Sequence, residues 1–212
     1  MNSILRRRRG MMGTTAGGNL PSAYQQVEWI ESNNGPLIDT GIYGKLSTKI
    51  ECGIQRTGTG DAMYPTLFGC HTPSILMSVQ NAGSGSYWTF GNSGEKSVPY
   101  SFYNSIHDII FDKTSITVDG SVKASYSATT LVEDSSVHIG IFGRFKGGSP
   151  VTLSAQCQAR CSYFKIYENN TLVCDLIPCY RKSDNEIGMY DLVRQVFLTN
   201  ANTGTFTKGA DV

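Results

Sequence analysis

The stretch Ser115-Ile116-Thr117-Val118-Asp119-Gly120-Ser121-Val122-Lys123-Ala124-Ser125 decides the fold class. Apolar and polar residues alternate on both sides of Asp119-Gly120, and a period of two is the pattern of a strand with one buried face. Asp-Gly supplies the positive φ angles that a two-residue type I′ turn requires. The spacing therefore predicts an antiparallel hairpin.

Working outward, the same chemistry recurs. Tyr163 to Glu168 and Thr171 to Pro178 flank Asn169-Asn170, and Asn tolerates the left-handed conformation better than most residues, so a second hairpin is expected there. Ser47 to Gln55 places Ile50, Cys52 and Ile54 on one face of a strand, with Lys49, Glu51 and Gly53 on the other. Tyr87 to Phe90, Asp108 to Phe111 and Val137 to Phe142 read as further short strands. Between Gln158 and Tyr163 the phase breaks, because Cys157 and Cys161 share one parity and Phe164 and Ile166 the other, so a bulge is expected. About a dozen strands, no long helix and no internal repeat follow from this reading.

The composition agrees. Hydrophobic residues are 40% and charged residues 17%, with 23 Gly, 11 Tyr and 9 Phe, too apolar and aromatic for a disordered chain. A net charge of +1 argues against a domain that binds nucleic acid over its whole surface. No apolar run approaches the ~18–20 residues that cross a bilayer, and the cationic start lacks the apolar region of a secretory signal, so synthesis in a host cytoplasm and no membrane partner are expected. The six cysteines form no CxxC pair and are read as reduced and partly buried. One boundary stands out near Gly17-Gly18-Asn19, dividing a basic arm and linker, residues 1–19, from a β-sandwich, residues 20–212.

Leu20 to Ser32 followed by Ile38 to Ile42, then Phe164 to Val173, Asp175 to Asp184, Glu186 to Leu192 and Asn202 to Phe206, resemble the opening and closing segments of concanavalin A-like, laminin-G-like jelly-roll domains of gut-bacterial phages. The resemblance covers residues 20 to 212 and is diffuse from about Gly53 to Ser154. It implies a jelly-roll of two antiparallel sheets and a setting among virion proteins; it implies no single activity. Within the closing segment Pro178 is expected to end a strand, the Tyr180 hydroxyl to reach a backbone group, and Arg181 to Asp184 to form a polar turn.

Glucanases of this fold carry their carboxylates on one strand as Glu-x-Asp-x-x-Glu, and no such run exists here. Glu28 and Glu31 are three apart and point to opposite faces of a strand. His71, His107 and His138 fall on separate segments and are read as structural. Asp61, Asp119, Asp134 and Asp184 lie in loops without a dense cluster, and turn chemistry accounts for them, so no metal or cofactor is assigned. Tyr64, Tyr87, Tyr100, Tyr103 and Phe145 lie in or beside Gly- and Ser-rich loops and are the candidates for stacking on a glycan.

In the arm, Arg6, Arg7, Arg8 and Arg9 stand between Ile4, Leu5 and Met11, Met12, a combination suited to burying apolar side chains in a groove while the arginines pair with carboxylates. The expectation is a non-enzymatic virion protein, a capsid decoration, cement or tail-surface protein, present in many copies and anchored on other virion subunits by this arm. A carbohydrate-binding adhesin for bacterial or mucosal glycans is the alternative; a glycan-degrading enzyme is disfavoured by the missing carboxylate run.

Overall fold

The computed structural model of the chain describes residues 19–58, 65–72, 76–82, 85–91, 96–98, 100, 102–125, 135–147 and 152–212, and among these it is all-β. The strands are β1 (Tyr24–Gln26), β2 (Ile30–Asn33), β3 (Ile38–Tyr43), β4 (Thr48–Arg56), β5 (Thr66–His71), β6 (Leu76–Ala82), β7 (Gly85–Gly91), β8 (Lys96–Val98), β9 (His107–Phe111), β10 (Ser115–Val118), β11 (Ser121–Ser125), β12 (His138–Ile141), β13 (Arg144–Lys146), β14 (Thr152–Ser154), β15 (Gln158–Glu168), β16 (Thr171–Arg181), β17 (Ile187–Asp191), β18 (Val196–Leu198) and β19 (Thr207–Lys208). They exceed the dozen expected because two- and three-residue strands such as β1, β13, β18 and β19 are too short to show a period.

Two sheets form a sandwich. The larger runs β11-β10-β9-β4-β15-β16-β17-β18, with β2 against the first half of β15, β19 against β2, and β1 against the last residues of β16. The smaller runs β14-β13-β5-β6-β7-β8, with β12 bridging β5 to β3; all pairings are antiparallel except β13 with β5. Aromatic rings lock the layers together. Phe111 of β9 lies 5.6 Å from Phe68, 5.3 Å from Phe90 and 6.0 Å from Trp88, all on the opposite sheet, and Phe68 lies 5.4 Å from Phe164. Each is fully buried, worth ~1.5–3 kcal/mol for a side chain of this size. One core cluster runs from Val27 to Phe206.

The local readings translate directly. Asp119 and Gly120 turn β10 into β11 with φ of 50° and 77°, and Asn169 and Asn170 turn β15 into β16 with φ of 49° and 62°. Ile50, Cys52 and Ile54 of β4 have no exposed surface. The register of β15 against β4 shifts between Cys161 and Tyr163, and this bulge lets Ala159 and Cys161, of one parity, and Phe164 and Ile166, of the other, all enter the core.

Two expectations fail. Pro178 does not end a strand; it sits inside β16, opposite Met189. There β16 exchanges its neighbour β15, last paired at Leu176, for β1, first paired at Cys179. The Pro178 carbonyl accepts from the Val27 amide on that side, and the reciprocal bond, which a proline cannot make, is missing only at the junction between the two partners. The Tyr180 hydroxyl donates to the Asp211 side chain, at 3.2 Å, and not to backbone. The polar turn after β16 forms as expected, with Arg181 in a bidentate contact to Asp184.

The ends of the described sandwich lie together. Tyr24 pairs with Arg181, the Lys182 amide donates to the Ala23 carbonyl, and the Val212 amide donates to the Gln26 carbonyl. At the other end of β16, Thr171 faces Glu168, whose carboxylate holds Lys45 of the β3–β4 loop at 2.8 Å. Tyr43, two residues before Lys45, therefore lies toward this second end, away from Tyr24.

Candidate functional site

Ile4, Leu5, Arg6 to Arg9, Met11, Met12, Tyr64, Asp61 and Asp134 lie outside the described residues, and of Tyr87 only the backbone, in β7, is described. Tyr100 and Tyr103 flank the buried Phe102 in the segment before β9, at the Arg56 end of β4: the Arg56 guanidinium stands 4.9 Å from the Tyr103 ring centre. Phe145, on β13 beside Cys70, belongs to the opposite end. The structure therefore groups Tyr100 with Tyr103 and sets Phe145 apart, with different neighbours.

Those neighbours are Tyr43 and His138. The ring of Tyr43, nearly half exposed, meets His138 edge-on at 4.5 Å, and His138 meets Phe145 at 6.4 Å. His138 Nδ1 lies 3.0 and 3.1 Å from the two oxygens of Asp39, which also accepts the Gly41 amide at 2.8 Å. With Nδ1 committed to the carboxylate, the ring is fixed in orientation. Pairing of β3 with β12 brings these residues together across a sequence distance that no local pattern reports.

Asp39 is shared with a cleft of about 420 Å³ along the seam between the sheets, lined also by Gly41, Arg194, Phe197, Thr199 and Asn200. Its floor is built by the β17–β18 turn. The buried Asp191 carboxylate accepts the amides of Asp175 and Val193 and the Nε of Arg194. Burial alone raises the Asp191 carboxyl, and the bonds from Arg194 and the two amides outweigh it, holding it below the ordinary range. Arg194 Nη2 then donates to the Thr40 carbonyl at 2.7 Å, while Nη1 lies 3.2 Å from where a side chain on Gly41 would begin. Gly41, at φ +68°, is thus favoured by its backbone conformation, and a side chain there would press on the Arg194 guanidinium.

A third cluster surrounds Tyr100. Its hydroxyl donates to Asp119 Oδ2 at 2.9 Å, and its ring packs edge-on against His107 at 5.0 Å. Asp119 Oδ2 also faces His107 Nδ1 at 2.8 Å, and Ser105 Oγ lies 3.3 Å from His107 Nε2. The histidines were read as structural because each stands alone in sequence; His107 and His138 each meet an aspartate that only strand pairing delivers.

The outer face of the large sheet carries more carboxylates than the sequence pattern revealed. Glu51 of β4, Lys165 of β15 and Asp175 of β16 stand in register on neighbouring strands. Each acid is already engaged: Glu51 by Lys49 and the Tyr167 hydroxyl, Asp175 by Lys165, Asp108 by the Tyr163 hydroxyl, Glu31 by Arg160. An ammonium group stands between Glu51 and Asp175 where a glycosidic oxygen would have to enter, so this pair is not arranged as an acid and a base around a bond. Burial, followed by Glu51, pushes the Tyr167 hydroxyl up to about 12 and keeps it a donor. Among the described residues no group of three or more His, Cys, Asp or Glu could hold a metal ion.

No protein-family model matches the chain, and no curated protein matches it.

Proposed function

We propose that the chain is a non-enzymatic phage virion protein, anchored on capsid or tail subunits by residues 1–19 and displaying a concanavalin A-like jelly-roll outward in many copies. The observation that carries this reading is the separation of root and platform: residues 19–24 join the sandwich at the Arg181 end of β16, and Tyr43, His138 and Phe145 lie toward the other end, where Lys45 meets Glu168. A module held at one end presents that platform to solvent. Avidity from many copies compensates for weak single contacts. Deleting residues 2–18 tests the anchor: the sandwich still folds and is lost from particles. Unchanged incorporation overturns the reading.

The platform also favours a second reading, a glycan-binding adhesin, compatible with the first. An exposed tyrosine edge, a second aromatic ring, an oriented imidazole and a carboxylate are the groups that stack on and orient a sugar. A glycan array with the intact chain, repeated with Tyr43→Ala, tests it. A signal lost in the variant supports the adhesin; a blank array with folded protein removes it.

A further inference from the structure

His107 opens β9, and Ser105 lies two residues before it in the approach to that strand, with its hydroxyl 3.3 Å from the imidazole. Asp119 reaches them from the β10–β11 turn because β9 and β10 pair, with Ile109 opposite Val118. Its position is doubly fixed: the Asp119 amide donates to the Asp108 carbonyl at 2.9 Å, and the Asp108 amide returns a bond to Asp119 Oδ1 at 3.0 Å. The second oxygen, Oδ2, faces His107 Nδ1 at 2.8 Å and accepts the Tyr100 hydroxyl at 2.9 Å. Burial raises the Asp119 carboxyl, and the bonds from His107, Tyr100 and the Asp108 amide outweigh it, so it stays ionised and can only accept.

The tautomer follows. Facing an ionised oxygen, Nδ1 carries the proton, which leaves Nε2 with a lone pair directed at Ser105 Oγ, 3.3 Å away. Tyr100 Oη, 3.1 Å from Nδ1, is then a second donor to the same carboxylate oxygen and braces the ring without competing for Nε2. The imidazole is nearly buried while Ser105 is exposed, so the base is shielded and the hydroxyl open to a reagent. Serine on Nε2 and aspartate on Nδ1 is the arrangement that turns a hydroxyl into a nucleophile.

We propose that Ser105 is a covalent modification site, a base-activated nucleophile that takes an acyl group from activated acyl esters. Oγ attacks the carbonyl carbon, forming a new C–O bond, as its proton passes to His107 Nε2. The tetrahedral adduct collapses, the bond to the leaving alkoxide breaks, and the alkoxide takes that proton from Nε2. The products are an ester at Ser105 and a free alcohol. His107 acts as the base and Asp119 positions it. This chemistry is independent of anchoring and of glycan binding.

The test treats the full-length chain with a fluorophosphonate probe and, separately, with p-nitrophenyl acetate, and maps the modified peptide. The expected result is modification at Ser105, ~100-fold faster than at the chain's other serines, the low end of what general-base assistance supplies. Ser105→Ala removes the signal without changing the melting temperature, since the side chain is exposed. Asp119→Asn and His107→Gln slow it at least tenfold, and the conservative Asp119→Glu, which keeps the charge, restores part of the rate that Asp119→Asn loses. Labelling at Ser105 no faster than at other serines, or an unchanged rate in folded Asp119→Asn and His107→Gln, overturns the proposal.

Discussion

Arg194 binds the fully buried carboxylate of Asp191 through Nε and the Thr40 carbonyl through Nη2, so one side chain ties the β17–β18 turn of the large sheet to β3 of the small one. The bond to the Thr40 carbonyl is the clasp across the seam, and the ion pair with Asp191 holds the guanidinium in place to make it. Its acid is the more deeply buried partner, and it accepts two backbone amides besides the guanidinium.

A folded-state carboxyl held low contributes stability that is present above the unfolded value of ~3.9 and is lost as pH falls through the folded one. Asp191 is such a group, its burial outweighed by the bonds from Arg194, Asp175 and Val193. Asp191→Asn is therefore expected to lower stability at pH 7 by ~3 kcal/mol, because it leaves the guanidinium without its counter-charge. The same variant should lose less than the parent as pH falls below about 4. Urea titrations at pH 7, 4 and 2 check both; equal losses on acidification would remove Asp191 from the account.

Gly188 is required by space alone. A Cβ there would lie 2.2 Å from the Leu198 carbonyl oxygen and 3.0 Å from the Phe197 ring, on the paired strand β18. Gly188→Ala is expected to part β17 from β18 and lower stability by ~1–3 kcal/mol, the range for overpacking. Gly120→Ala makes the contrast: nothing lies within 4 Å, and its effect, ~1 kcal/mol, comes from the left-handed backbone. Differential scanning calorimetry of the two variants separates crowding from conformation.

The two hairpins were legible because their chemistry is local: Asp119-Gly120 and Asn169-Asn170 specify the turn whatever surrounds them. The bulge in β15 was legible because a parity change in one strand leaves no other way to bury both Cys161 and Phe164. Pro178 was misread because a proline in a strand is tolerated only where the neighbouring strand changes, which depends on β1, some 150 residues earlier in the chain. The Asp39–His138 contact spans a separation of 99 residues, and Asp119 reaches His107 only through the β9–β10 pairing. Aromatic residues in loops marked neither cluster, since composition does not say which end of a strand a loop closes.

All six cysteines are free and buried. Burial pushes the Cys70 thiol up to about 11 and those of Cys157, Cys161 and Cys179 up to about 12, so the reactive thiolate is scarce as well as inaccessible. In native buffer at pH 8 a disulfide reagent such as dithionitrobenzoate should find no fast-reacting thiol, and in guanidinium it should find all six. Rapid reaction of one native thiol would show that the sandwich opens locally at that strand.

Phe111 joins the two sheets, contacting Phe68, Phe90 and Trp88 from across the core. Truncation removes the largest side chain on β9 and leaves three rings facing a cavity that the paired strands β4 and β10 keep from collapsing. Phe111→Ala is expected to destabilise by ~3–5 kcal/mol, and Phe111→Leu, which keeps most of the volume, by less. The readout is built in. The chain has two tryptophans, and Trp88 is fully buried while Trp29 lies beneath the Arg160 guanidinium at 4.1 Å. Unfolding should shift the Trp88 emission to the red, and the midpoint of that shift in guanidinium should move lower in Phe111→Ala than in Phe111→Leu. Equal midpoints would mean that the sheets are held by the aliphatic residues around Ile50 and Ile166 and not by the aromatic contact.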